Sequence, residues 1–324
     1  VFSAAVAHEA MPWPEAARPS SRQMLACAQF SRYADPRLAG HGALPQDGQP
    51  WLPLSELLQT MLESGRLQLP WLEPTGFSDL RFAAPLPLPE AVTRECRITA
   101  RSQSWLLQDG VMTRMCHVRL QSRDLAPNLR RINHFSPLAR GMVFLAAAAG
   151  SLPPLWDGEM AVTGPDLPLE DFYAGCGMAE GWRLLEELAP AGDDLWQGRF
   201  DGMAQGIAPA GKSGYCSLLS AVDAILQAAC RIMEETVPRA ELAGGRLLWP
   251  QGWRLSGIGF IRFADAGLLC GARMPWRIQL RRGWDDERLQ RYDAQVVDAD
   301  GRVLLTLHQM EFEKDVRPQE GAGA

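Results

Sequence analysis

The sequence predicts an α+β fold of two similar halves, each an antiparallel sheet wrapped around one central helix. Three observations carry this. Two stretches place apolar residues at helical spacing. The segments after each of them alternate apolar and polar residues, as half-buried strands do. The order loop, apolar helix, several strands then occurs twice along the chain.

Taken in order, residues 1–21 are rich in Ala and Pro and read as a leader or linker with little structure of its own. An N-terminal half is expected over 22–125. It opens with a strand at Met24–Phe30 and a Gly/Pro/Asp-rich loop that contains His41. Leu54, Leu57, Leu58, Met61 and Leu62 then fall at i, i+3, i+4, i+7 and i+8, a helix with Gly65 as its expected stop. Strands follow near Phe77–Ala83, around Cys96, Ile98 and Ala100, near Leu106–Leu107, and along Met112, Cys116, Val118 and Leu120. Residues 126–168 read as a connecting segment, with Met142–Ala149 as either a short helix or a strand.

A C-terminal half is expected over 169–315, with a flexible tail at 316–324. A short helix near Leu169–Cys176, a strand at LWQGRF and a Gly-rich loop over Asp201–Gly214 lead to the second long helix, Ser217–Glu235. There Leu218, Val222, Ile225, Leu226, Ala229, Ile232 and Met233 recur at helical spacing. Strands at Leu255–Phe263, from Trp276, from Tyr292 and at Val303–Phe312 close the chain, the last two joined by an Asp300-Gly301 hairpin turn.

Composition excludes several classes of function. A net charge of −6 argues against nucleic acid, which needs a basic footprint. No apolar run approaches the ~20 residues of a membrane span, and VFSAAVAHEA lacks the basic and apolar regions of a signal peptide. The absence of an initial Met and the EGAGA ending suggest a segment of something longer. The seven cysteines are odd in number and scattered without C-x-x-C spacing, so they read as core residues of a cytoplasmic protein without a zinc site.

One motif invites a different reading. Gly206–Ser213 matches G-x-x-x-x-G-K-[ST], which would put Lys212 on phosphates and Ser213 on magnesium. That loop belongs to a parallel sheet, whereas the strands here look antiparallel, and Pro209 removes one donor from the cradle. A Gly/Ala/Pro turn accounts for it better. Asp298, in a sequence that mimics the companion magnesium motif, is accounted for by the hairpin turn.

Two residues stand out for chemistry. His41 lies in the loop ahead of the first helix, where a side chain can project toward a site; His117 and His308 lie within strands and read as structural. Asp223 is an acid on an apolar helix and needs a partner or a task. Ser220-x-x-Asp223 also fits a capping box, so Asp223 could close the first turn of its own helix. Gln227 follows one turn later on the same side.

Between roughly residues 24 and 315 the chain resembles the dehydratase domain of type I polyketide synthases, a double hotdog. Asp35-Pro36-Arg37-Leu38-Ala39-Gly40-His41 matches the family's lead-in to its histidine, and Pro50 falls at the family's final Pro, with Pro53 as an alternative match. Asp223-Ala-Ile-Leu-Gln227 matches its Asp-x-x-x-Gln/His. The chain departs from the family in three places. Pro45 replaces the Gly four residues after the His, the Tyr-bearing motif is reduced to Gly177-Met-Ala-Glu-Gly181-Trp182, and Leu218 and Leu219 stand where a His-Pro pair is usual.

The resemblance implies loss of water from a 3-hydroxyacyl thioester on an acyl carrier protein, without metal or organic cofactor. His41 would act as base, Asp223 as acid, and Gln227 would hold the Asp223 carboxyl. Gly42, Pro45 and Pro50 would meet the substrate, and amides at the start of the helix near Leu54 would polarise the thioester carbonyl. The implied partners are the carrier protein and neighbouring synthase domains, with a homodimer allowed and no nucleic acid or membrane. Arg130-Arg131 and Arg281-Arg282 are candidate docking pairs. The alternatives are a catalytically silent scaffold on the same fold, or a related isomerase, cyclase or product-template domain.

Overall fold

The computed structural model describes residues 2–7, 23–32, 35, 38, 41, 50–83, 87–108, 111–147, 150–156, 160–200, 214–236, 253–265, 272 and 274–314. Among these, the strands form one sheet in which every pairing is antiparallel. In chain order the elements are β1 (Phe2–Ala7), β2 (Gln23–Phe30), α1 (Leu54–Gln68), β3 (Glu73–Phe82), β4 (Thr93–Gln108), β5 (Val111–Leu125) and β6 (Ser136–Ala146). After them come α2 (Glu170–Gly175), a 3-10 turn at Glu180–Trp182, β7 (Leu185–Gly192), β8 (Leu195–Phe200), α3 (Gly214–Thr236), β9 (Trp253–Phe263), β10 (Trp276–Asp285), β11 (Leu289–Val297) and β12 (Val303–Lys314).

The strand order is β1-β2-β4-β5-β6-β3-β9-β12-β11-β10-β8-β7. Read from each end, the two halves have the same wiring. β1 matches β7, β2 matches β8, and β3 to β6 match β9 to β12, with one long helix in the same place. The helix of each half packs on its own strands, α1 on β2 to β6 and α3 on β7, β8, β10 and β11, and the two helices pack on each other. From Leu218 to Met233 only Ser220 of α3 is not fully buried, so this helix is enclosed on all sides. No helix among the described residues is long and apolar enough to cross a membrane.

Several expectations need correction. Residues 2–7, read as part of a leader, form β1 and pair with β2. The segment 126–168, read as a connection, contains β6, a strand between β5 and β3. Its Pro137 and Gly141 disguised it: Pro137 lies next to the strand's first residue, and a Cβ at Gly141 would stand 2.7 Å from the Leu80 side chain. β7 was not anticipated; it is an edge strand carrying Pro190 and Gly192. Gly65 does not stop α1. The helix runs on to Gln68, and Gly65 lets it approach β6, where a Cβ would meet Val143 at 3.1 Å. The Gly206–Ser213 motif lies outside the described residues. Asp298 does organise the hairpin turn, its Oδ1 accepting the backbone N–H groups of Asp300 and Arg302 at 3.0 and 2.9 Å.

The halves join where β3 pairs with β9, and the seam has its own repeat. Gly76 faces Arg262 and Arg81 faces Gly257, so each strand contributes Gly-x-x-x-x-Arg in opposite directions. A Cβ on Gly76 would stand 2.0 Å from the Ile261 carbonyl oxygen, and one on Gly257 would stand 2.7 Å from that of Leu80. Both obstacles are backbone and cannot rotate away. Gly76→Ala is therefore expected to lower unfolding stability by at least ~2 kcal/mol in a denaturant titration. Gly177→Ala, at φ +63 in open space, should cost only ~1 kcal/mol. Equal losses would remove the seam from the account.

Candidate active site

Asp223 lies in the third turn of α3, nine residues past its start, so it does not cap its own helix. It caps the other one. α1 is preceded by Pro53, which has no side chain able to accept a hydrogen bond from the helix, and its first amides need acceptors. The Leu54 N–H donates to Asp223 Oδ1 at 3.0 Å and the Ser55 N–H to Oδ2 at 3.2 Å. The Ser55 hydroxyl also donates to Oδ2. A carboxylate there also complements the positive end of the α1 dipole.

This arrangement corrects one expectation. The amides at the start of α1 are not free to polarise a thioester carbonyl, because Asp223 already takes those of Leu54 and Ser55. It also sets the acidity of Asp223. Burial raises its pKa to about 7, against the pull of the Ser55 and Leu54 donors, which favour the ionised form. The group can therefore carry a proton near neutrality.

His41 is equally buried, with 1% of its surface exposed. Its Nδ1 lies 3.3 Å from the Trp51 carbonyl oxygen. A carbonyl only accepts, so Nδ1 carries the hydrogen and Nε2 keeps the lone pair. Burial pushes the imidazole pKa down to about 3, with the Trp51 contact opposing it, so the ring is neutral. Two indoles wall it. Trp51 stands at 5.0 Å between ring centroids and Trp182 at 4.7 Å, edge-on.

His41 and Asp223 thus attach to one short stretch, His41 at Trp51 and Asp223 at Leu54 and Ser55. A second connection runs through Trp182, which touches His41 with its ring and accepts a hydrogen bond from Gln227 Nε2 at its carbonyl, 2.9 Å away. Gln227 does not hold the Asp223 carboxyl as expected. Its Oε1 accepts from the Leu184 N–H at 3.2 Å and the Tyr173 hydroxyl at 3.1 Å, and the Tyr173 oxygen in turn accepts the Leu185 N–H at 2.9 Å. The Asp223 oxygens are already committed to α1, so Gln227 positions the 173–185 segment, and Trp182 with it.

Pro50 is buried, and its carbonyl accepts the Leu88 N–H at 2.7 Å, so it ties the loop to the connection between β3 and β4. Gly42 and Pro45 lie outside the described residues. Ser55, Trp51, Tyr173 and Trp182 were not singled out as site residues from sequence. Only Trp182 carried a signal, as the end of the reduced Gly177–Trp182 motif. No group of three or more His, Cys, Asp or Glu is placed to hold a metal among the described residues.

No family model matches the chain, and no curated protein does. Solved structures do match. GphF dehydratase 1 superposes with a TM-score of 0.60 at 15% identity, over 90% of this chain and 94% of that one. The bifunctional dehydratase-cyclase domain in ambruticin biosynthesis gives 0.59 at 15% identity, over 92% of each chain. The dehydratase domain from the CurF module of curacin polyketide synthase gives 0.59 at 12%, over 90% and 94%. Likeness at this level of identity establishes the fold, and the chain carries, in divergent sequence, the fold of the dehydratase domains of polyketide synthases.

Proposed function

We propose that this chain is a double hotdog, each half-sheet wrapped around its helix, that removes water from a 3-hydroxyacyl thioester delivered by an acyl carrier protein. The observation that carries the reading is the pairing of a neutral His41 with a protonatable Asp223, one from each half, on the two ends of Trp51–Ser55. His41 Nε2 takes the proton from the carbon next to the thioester. Asp223 gives its proton to the hydroxyl on the neighbouring carbon, which leaves as water, and the new double bond lies between the two carbons. The proton held by His41 returns to the Asp223 carboxylate through solvent. Gln227 and Tyr173 position Trp182 against His41. The reading calls on no metal or organic cofactor.

A second reading is favoured by one observation. His41 is only 1% exposed, with the rings of Trp51 and Trp182 packed against it. A silent scaffold on the same fold has this appearance.

Incubation with a 3-hydroxyacyl pantetheine thioester, followed by mass spectrometry, is expected to show loss of 18 mass units, the mass of water. His41→Phe and Asp223→Asn, each checked for native circular dichroism, should lower the rate roughly a hundredfold to ten-thousandfold. Turnover that survives both substitutions sinks the roles assigned here. Trp182→Ala separates the two readings. It should raise turnover severalfold if the indole shuts a working site and leave a silent scaffold inactive.

The pH profile supplies a further check. His41 is neutral above about 3 and Asp223 is protonated below about 7. kcat/KM should be level between these limits and fall about tenfold per pH unit as pH rises through about 7, because the acid is then ionised. A rate that rises through pH 7 would reverse the role of Asp223.

A further inference from the structure

The outer face of the first half-sheet carries a row of arginines that the chemistry at His41 and Asp223 does not use. Arg119 on β5 stands directly opposite Arg140 on β6, and Arg140 directly opposite Arg81 on β3. Three guanidinium groups from three adjacent strands thus share one rung, and all three residues are exposed. Thr99 on β4 continues the rung, and the exposed Arg101 lies two residues beyond it on the same face.

Like charges directly opposite each other destabilise a sheet, so such a row is costly unless something answers it. Arg81 shares Glu311 with Arg291, at 2.7 and 2.9 Å. Arg119 and Arg140 form no ion pair among the described residues. Both help to hold the imidazole of His117, opposite Met142, below its usual pKa range, after burial as the first cause. The row stands out on a chain with a net charge of −6. A cleft of about 550 Å³ opens along it, lined by the three arginines, Thr99 and Gln121.

The spacing selects the partner. Neighbouring strands lie ~4.8 Å apart, so the arginines recur at that step across the sheet. Side chains at i and i+4 of a helix lie ~5–6 Å apart. An acidic helix laid across the strands therefore offers one carboxylate to each arginine in turn, whereas a single small anion reaches only one or two. The Arg281-Arg282 pair offered by the sequence fits less well, because both of its guanidinium groups are answered, Arg281 by Asp293 and Arg282 by Asp194 and Asp285.

We propose that the Arg119–Arg140–Arg81 row docks an acidic helix of a partner protein; that this partner is the acyl carrier protein rests on the function proposed above.

The test titrates the full chain with an acyl carrier protein, in apo and holo forms, by fluorescence anisotropy. Both forms should bind, more weakly as salt rises, and Arg119→Gln/Arg140→Gln should weaken both about tenfold. Arg281→Gln/Arg282→Gln should leave binding unchanged. Turnover of the free pantetheine thioester should be the same in the Arg119/Arg140 variant as in the wild type, because the site itself is untouched. No binding by the wild type, or equal binding by the Arg119/Arg140 variant, overturns the proposal. Binding by the holo form alone also overturns it, by assigning the row to the phosphate of the phosphopantetheine arm. Arginine-dependent binding without turnover of the free thioester keeps the docking surface and removes the dehydratase reading.

Discussion

The structure depends on one buried carboxyl group. Asp223 sits inside α3, in an environment that by itself would keep the group neutral, and faces the start of α1, where donors would keep it ionised. A helix cap contributes ~1 kcal/mol, and hydrogen bonds to a charged acceptor ~1.5–3 kcal/mol each. Burying an unpaired carboxylate costs several kcal/mol. The two effects are of similar size, so the carboxyl is poised near neutrality. The same contact joins the halves, because α1 belongs to the first and α3 to the second. Acid strength and assembly are set by one interaction.

The repeated wiring explains why the site lies where it does. Matching halves joined at β3 and β9 bring α1 and α3 together. Neither half holds the site alone: His41, Trp51 and Ser55 come from the first, and Trp182, Asp223 and Gln227 from the second. Gly76 and Gly257 let the seam close, and the seam lets the helices meet. The two faces of β5 then serve different ends. Val118 and Leu120 face the core that holds the helices, while Arg119 between them faces outward into the arginine row.

Burial acts on the two site residues in opposite directions. It drives His41 down to about 3 and Asp223 up to about 7, and in both cases the neutral form is favoured. A neutral imidazole and a protonatable carboxyl suit the reaction proposed above, which removes one proton and delivers another. The indoles of Trp51 and Trp182 deepen the burial that produces this pair. Gln227, itself bonded by the Tyr173 hydroxyl, holds the Trp182 backbone in that position.

The sequence by itself determined what depends on neighbours a few residues away. Apolar spacing located α1 and α3, alternation located most strands, and Asp300-Gly301 marked its turn. The motifs around His41 and Asp223 marked both residues. β7 escaped, and β6 was legible only as a helix or strand over Met142–Ala149, because their Pro and Gly residues serve an unbroken sheet, which no local pattern records. Gly65 read as a helix stop because its true neighbour, Val143, is remote in sequence. Tertiary structure alone decided the partner of Asp223, since the capping pattern pointed to its own helix while the amides it accepts lie 168 and 169 residues away. It likewise decided that Gln227 serves Trp182, and that Arg81, Arg119 and Arg140 share a rung. Those facts depend on strand register and helix packing, which arise only when distant segments come into contact.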